Sequence, residues 1–460
     1  MFIRYHNKGN INTRLPESLN IRQGVLPPLG IAYIASLLKE NGYDVKILDA
    51  IASNLTKSET SAAMNDFRPD IVGITAMTSS FKGSLEACQL AHENGAIVVI
   101  GGPHLAAYPK ETLSYKYIDF GIIGEGEYPM LELIRALEDK KSPDDIKGLV
   151  YRRGNEVFIN EPFIAADIDK LPFPARELLP NEKYSSIIGL HPVTSMITTR
   201  GCPYQCAFCA KQPSDQRYRT RGAPQIVDEM EEVVKNYGVR EIMFYDDTMT
   251  THRRHIESLC NEIINRGLNI NWETPGRVNE VDKNLLALMK KAGCLRIRYG
   301  VESGDSRILE SMNKGITLTM AKEAFRLTKE AGIQTFAYFM VGYLYDTPQS
   351  IENTLNFAKI LAPDLVMFTL TVPAPKTPLY DLAKKEGLIE GDYWQDFTLG
   401  KEKDRIPYLL ADADKWVKKC YRSFYFRPTY ILRSISKIRT FDTIKKHFQA
   451  LKGLLLWNGS

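Results

Sequence analysis

The sequence predicts an α/β chain in three parts: an N-terminal doubly wound (Rossmann-like) domain, a partial (β/α)6 barrel and a small helical C-terminal domain. Three observations carry that expectation. Apolar runs of strand length alternate with helical patterns in two separate series, as they do where a parallel sheet is covered on both faces. A proline-broken stretch, Leu171-Pro172-Phe173-Pro174, lies between the two series. Near the end, composition turns basic and aromatic at helical spacing. A chain of 460 residues exceeds one ordinary core. The expected divisions are 1–140, a structured linker 141–190, a barrel 191–385 and helices over 386–460.

In the first part, strands are expected over 45–48, 71–74, 97–100 and 120–123, with helices over 29–41 and 84–94 between them. Ligands of such sheets bind beyond the carboxyl ends of the strands. Small and polar residues collect there: Gly30 at a helix start behind Pro27-Pro28, Thr75 and Ser79, Gly101-Gly102 with His104, and Glu125-Gly126. Glycine lets backbone approach a ligand, and hydroxyls can bond to it. The G-x-G-x-x-G dinucleotide fingerprint is absent, which counts against a nicotinamide cofactor. Residues 148–159 read as a hairpin around Gly154-Asn155, placed in the linker.

The barrel strands are expected over 193–199, 241–245, 270–273, 295–301, 335–340 and 365–371, with helices such as 225–237, 254–266 and 321–331. The site of a parallel barrel lies at the carboxyl ends of its strands. The first strand leads into Cys202, Cys206 and Cys209, three of the seven cysteines, at a C-x3-C-x2-C spacing. Three thiolates can hold three irons of a cubane cluster and leave the fourth without a protein ligand. A zinc site is the alternative; its fourth ligand would have to be recruited from His191, Cys260 or Cys294, and a buried turn with no metal is the other. The other strand ends bring Asp246-Asp247, Arg277 and Glu302. Carboxylates there can accept from an amine or ribose, and an arginine can pair with a carboxylate; helix capping is the competing reading, and Asp305 is expected to do only that.

Arg200-Gly201-Cys202-Pro203-Tyr204-Gln205-Cys206-Ala207-Phe208-Cys209 resembles the cluster loop of the cobalamin-binding radical S-adenosylmethionine (SAM) enzymes, the class B methylase group. The stretches Phe244-Tyr245-Asp246-Asp247-Thr248, Gly300-Val301-Glu302-Ser303 and Val372-Pro373-Ala374-Pro375-Lys376-Thr377-Pro378-Leu379-Tyr380 resemble that group too. The resemblance implies a [4Fe-4S] cluster on Cys202, Cys206 and Cys209, its open iron chelated by SAM. It implies Phe208 near the adenine, Glu302 near the ribose, Asp246 or Asp247 near the methionine amine and Arg277 near the methionine end. Reductive cleavage would yield a 5′-deoxyadenosyl radical. The first domain resembles the cobalamin domain of the group, with Gly30, Thr75, Ser79, Gly101, Gly102, Glu125 and Gly126 as the implied contacts. The D-x-H-x-x-G motif is missing and residues 23–30 contain no histidine, which implies cobalt without a histidine ligand. His104 is weighed as either a corrin-tail contact or a packing residue.

Composition, 44% hydrophobic and 25% charged, is that of a globular protein. No signal peptide or membrane-spanning run is present in the sequence, and clustered thiols argue for a reducing cytoplasm. From 421 to 457, Arg422, Arg427, Arg433, Lys437, Arg439, Lys445, Lys446 and Lys452 face only Asp442. Such a basic amphipathic segment either lies on an anionic membrane surface or packs on the barrel with its lysines solvated. No nucleic-acid fold accompanies it. The expected activity is methylation of an unactivated carbon of a small-molecule or lipid-like substrate, with reduced flavodoxin or ferredoxin as electron donor. The alternatives are cobalamin-dependent oxidation or cyclisation of a tetrapyrrole-like substrate without methyl transfer, and a noncatalytic cobalamin or metal sensor.

Overall fold

A computed structural model describes residues 1–5, 24–186, 188–211, 217–401 and 406–436, with side chains to Leu432. Strands β1 (Phe2–Arg4), β2 (Ile47–Asp49), β3 (Ile71–Thr75), β4 (Ile97–Gly101), β5 (Phe120–Ile122), β6 (Leu149–Arg153) and β7 (Glu156–Ile159) form one sheet in the order β2-β1-β3-β4-β5-β6-β7. The first five are parallel. Both faces are buried: Val98 and Ile100 enter one core, and Val99 between them enters another. Strand order reverses at β1, so the ligand crevice of this doubly wound sheet opens beside β1 and β3. Strand β1 escapes the sequence pattern because three residues cannot display a period; burial comes from its neighbours on both sides.

The hairpin of β6 and β7 forms where expected, but it belongs to the first sheet rather than to a separate linker. Strand β6 pairs antiparallel with β5, Gly121 opposite Val150, and extends the sheet edge. The rest of the joining segment is anchored by Arg176, which is 1% exposed. Its guanidinium donates to Thr194 Oγ1 (2.8 Å), Ser195 O (2.8 Å) and Glu229 Oε1 (2.7 Å). Arg221 Nη1 donates to the other Glu229 oxygen at 2.6 Å and to Ile197 O at 3.0 Å.

Strands β8 (Val193–Met196), β11 (Glu241–Phe244), β12 (Asn271–Gly276), β13 (Cys294–Glu302), β14 (Gln334–Val341) and β15 (Leu365–Leu370) make the six-stranded parallel sheet of the barrel, in the order β15-β14-β13-β12-β11-β8. The short strands β9 (Thr199–Arg200) and β10 (Arg219–Thr220) pair antiparallel beside it. Helices such as Ala223–Tyr237, Arg253–Asn265 and Leu318–Glu330 cover the outer face. The edge strand β15 is sealed by helix Ala413–Tyr425. The backbone N–H groups of Phe368 and Val366 donate to the Tyr421 and Tyr425 hydroxyls at 3.2 and 3.1 Å, removing an open ladder edge. The basic segment therefore packs on the barrel as far as Tyr430; Lys437, Arg439, Lys445, Lys446 and Lys452 lie outside the described residues. Among those residues, no helix is long and apolar enough to cross a membrane.

Glu229 is the sole carboxylate bonded to both Arg176 and Arg221 in these contacts. Glu229→Gln is expected to leave two buried cations undercompensated and to cost about 3–5 kcal/mol, read as a lowered urea midpoint of the full chain.

Candidate active site

The cysteine loop leaves β9 and is held by distant parts of the chain. Ala207 N donates to Met312 O at 2.9 Å, and Leu379 N donates to Ala207 O at 2.9 Å. Asn313 Nδ2 donates to Gln205 O at 2.9 Å and Lys211 Nζ to Cys202 O at 3.1 Å. Cys206 is buried, Cys202 half-buried and Cys209 exposed, all as free thiols. Burial pushes the Cys202 thiol up, and the Asp247 carboxylate adds to it. Among the described residues, no group of three His, Cys, Asp or Glu side chains is gathered tightly enough to hold a metal. A metal bound by thiols draws them together and releases their protons.

The two adjacent aspartates, in the loop after β11, have different surroundings. Asp246 is buried and braces the turn before the loop. It accepts from Thr198 N (2.6 Å), Thr199 N (2.8 Å) and Thr198 Oγ1 (2.7 Å). His255 Nε2 lies 3.0 Å from the same Thr198 oxygen; with that hydroxyl's proton given to Asp246, the ring nitrogen must donate. Burial lowers His255 to about 4, so it is neutral near pH 7. Asp247 is the exposed carboxylate of the pair, on the Cys202 side.

Glu302 ends β13 at a register shift against β14 and adopts φ +67°, a strained conformation for a residue with a side chain. Lys314 Nζ donates to its Oε1 at 2.8 Å and lies 5.6 Å above the Phe208 ring. The pair lies close over Gly300, where a Cβ would displace Glu302 Oε1 and Lys314 Nζ from their present positions. Lys314 was not singled out in the sequence; the Asn313-Lys314-Gly315 turn, a cation before a glycine, is the available signal. Arg277 is buried against the loop, its Nη1 4.0 Å from Cys206 Sγ. Asp305 caps helix Ser306–Ser311, as expected.

In the first domain, Gly30 is exposed at the start of helix Leu29–Glu40 with open space where a Cβ would stand. Thr75 and Gly101 are half-buried at the ends of β3 and β4, and Ser79 is exposed in the turn after β3. Gly102 has φ +101°, and a Cβ there would press on Ala76 O at 2.7 Å. Gly126 packs beside Ile34, whose Cδ1 would stand 2.9 Å from a Cβ there. His104 is a packing residue: it is stacked on Phe81 with ring centroids 3.7 Å apart and pushed down to about 3 by burial.

Glu125 is engaged by protein rather than left open to a ligand. Arg219 Nη1 donates to its Oε2 at 2.9 Å, Ala165 N donates to the same oxygen at 2.7 Å, and Arg200 Nη1 lies 3.3 Å from Oε1. Glu127 accepts from Arg200 Nη2 at 2.7 Å. Burial pushes the Glu125 carboxyl up, but Arg219 and Arg200 more than offset it and hold it below the usual range. The carboxyl ends of the first sheet are thus clasped to Arg200, two residues before Cys202.

Two family models match the chain, the Radical SAM superfamily over residues 196–358 and the B12 binding domain over residues 20–134. A protein of Pyrococcus horikoshii named as an uncharacterized methyltransferase is 34% identical over 93% of both chains. The chain belongs to the cobalamin-dependent radical SAM family. The anaerobic magnesium-protoporphyrin IX monomethyl ester cyclase of Rubrivivax gelatinosus is 31% identical, covering 90% of this chain and 76% of that protein. The fold is that of the cobalamin-dependent SAM radical enzyme OxsB, with a TM-score of 0.73 at 18% identity, over 96% of this chain and 71% of OxsB. The cofactors of this radical SAM protein are therefore a [4Fe-4S] cluster, SAM and cobalamin. Its residues fit them. Three thiols on a pinned loop suit a cluster with one open iron, and the open rim at Gly30 and Ser79 suits a large ligand.

Burial raises the Asp246 carboxyl to about 6 from 3.8, against the pull of its bonds to Thr198 and Thr199. Between those values the folded chain holds the proton that the unfolded chain releases. Its contribution to stability is thus full below about pH 4 and is lost as pH rises through 6. The unfolding free energy of Asp246→Asn relative to the parent is expected to rise by up to about 3 kcal/mol between pH 4 and 7. A difference that stays flat across that window would contradict the assignment.

Proposed function

We propose that this radical SAM enzyme transfers a methyl group to an unactivated carbon of a small-molecule or lipid-like substrate. The observation that carries the reading is the clasp of Arg200 and Arg219 to Glu125 and Glu127, which turns the mouth of the cobalamin domain toward the cysteine loop. A carrier and a radical source facing one space is what methyl transfer to carbon requires. The cofactors, when bound, supply the electron, the radical and the methyl carrier. Cys202, Cys206 and Cys209 hold the metal cluster, and the exposed Cys209 side offers the approach for a reduced flavodoxin or ferredoxin. Asp247 accepts from the methionine amine of SAM, while Asp246 keeps the turn beneath it rigid. Glu302, oriented by Lys314, accepts from the ribose hydroxyls, and Phe208 packs on the adenine. Gly30, Thr75, Ser79, Gly101 and Gly102 form the cobalamin rim.

Product analysis of the reduced full chain with SAM and candidate hydrophobic substrates tests this. Methyl transfer yields 5′-deoxyadenosine together with S-adenosylhomocysteine. 5′-Deoxyadenosine without S-adenosylhomocysteine would favour oxidation or cyclisation, the activity named for the Rubrivivax relative. Neither product from a protein with an intact reduced cluster would overturn the enzymatic reading. Cys206→Ala is expected to abolish both products.

The lipid-like substrate class is supported by exposed Ile360, Ile431 and Leu432, 63%, 39% and 68% accessible, near Arg427 and ahead of the basic tail. Vesicles containing anionic lipid are expected to bind the full chain and to lose it when residues 427–460 are deleted. Absence of binding by the intact protein would remove the membrane contact.

A further inference from the structure

Arg277 follows β12 and reaches across to the cysteine loop. Its guanidinium lies 3.5 Å from the centre of the Tyr204 ring, and Nη1 comes to 4.0 Å from Cys206 Sγ. Nη2 donates to Lys314 O, and Nε to Asn279 Oδ1 at 3.4 Å. The residue is 7% exposed. Glu280 completes a bracket around it. It accepts from the Tyr204 hydroxyl, from Thr250 Oγ1 at 2.6 Å and from Thr251 Oγ1 at 3.3 Å, and its Oε1 lies 3.9 Å from Arg277 Nε. The Thr250 hydroxyl in turn accepts from Arg277 N at 3.1 Å. One arginine and one glutamate thus enclose the Tyr204-to-Cys206 stretch. The donors of the arginine are directed at the loop and its supports.

We infer that Arg277 is a positioning residue that raises the reduction potential of the cluster held by Cys202, Cys206 and Cys209, with Glu280 opposing it. The inference rests on the iron–sulfur reading above. A cluster gains one negative charge on reduction, and that charge spreads onto its sulfur ligands. A buried cation 4.0 Å from one of those sulfurs stabilises the reduced form more than the oxidised form. Charge and hydrogen bonding at the sulfurs are established levers on iron–sulfur potentials. Glu280, whose Oε1 lies 3.9 Å from Arg277 Nε, brings a negative charge that damps the effect, so the two residues act with opposite sign. A clamp that merely held the loop would have no such sign.

The test is a redox titration of the full chain, reconstituted with iron and sulfide and followed by electron paramagnetic resonance without SAM. Arg277→Met is expected to lower the ratio of reduced to oxidised cluster at a fixed potential at least tenfold, a negative shift of about 59 mV for one electron. Arg277→Lys keeps the charge and retains most of the parent potential. Glu280→Gln keeps the acceptor oxygen, loses the charge and shifts the potential positive. Parent-like potentials in both Arg277→Met and Glu280→Gln, at unchanged iron content, would overturn the inference. If Arg277→Met takes up no cluster, Glu280→Gln decides alone: a positive shift supports the inference and an unchanged potential overturns it. A parent protein that binds no cluster would overturn the iron–sulfur reading itself, a separate and visible result.

Discussion

The ion network between Glu125, Glu127, Arg200 and Arg219 is the contact on which the working geometry depends. All four side chains are nearly buried, where a lone charge would be costly and a misplaced partner would leave one. Charge-assisted bonds are also directional. A purely apolar contact between the domains would tolerate sliding; this one is satisfied in a single register. Arg200 also sits 5.3 Å from the Tyr33 ring of the first domain. Because Arg200 is two residues from Cys202, the register that satisfies the charges also sets where the cysteine loop points.

Much of this was legible in the sequence where local pattern and tertiary demand coincide. Central strands such as β3 and β4 announce themselves because each is buried on both faces and reads as an apolar run. The cysteine spacing is equally local, since one loop contains all three residues. What could not be read is whatever depends on a distant partner. Strand β1 is too short to show a period, and its place in the sheet comes from β2 and β3. The β6–β7 hairpin is written in its turn, whereas its membership of the first sheet is written in β5. Glu125 looks like a ligand-binding residue because it stands at a strand end. Its arginine partners lie 75 and 94 residues further on, and nothing nearby marks them. Asp246 and Asp247 look equivalent in sequence, yet the loop after β11 turns one inward onto Thr198 and leaves the other exposed.

One strained residue stands at the rim that the local pattern reads least well. Glu302 holds a left-handed backbone at a bulge, its carboxylate lying over Gly300 and fixed by a lysine. The bulge breaks the alternation of β13 and re-aims the side chain, whose carboxylate lies over Gly300 and meets Lys314. A carboxylate on an ordinary strand would point into the barrel wall or into the lumen. The Lys314 pair, itself buried, holds the carboxylate in this conformation.

A second route ties the cysteine loop to the first domain, and it runs through the segment after β15. Leu379 N holds Ala207 O within the loop. The next residue, Tyr380, donates to Asp392, which also accepts from Tyr108 of the first domain at 2.7 Å. Lys376 lies 4.8 Å over that same Tyr108 ring, and Trp394 and Phe397 join the core of the first sheet. The loop is thus held at two points: by Arg200 where it begins, and by Leu379 at Ala207 within it. Both holds lead to the cobalamin domain, one through charge and one through packing. A displacement of that domain would pull on the loop at two points. The relation between the two cofactor sites is therefore built into the chain's own contacts rather than left to the cofactors to establish.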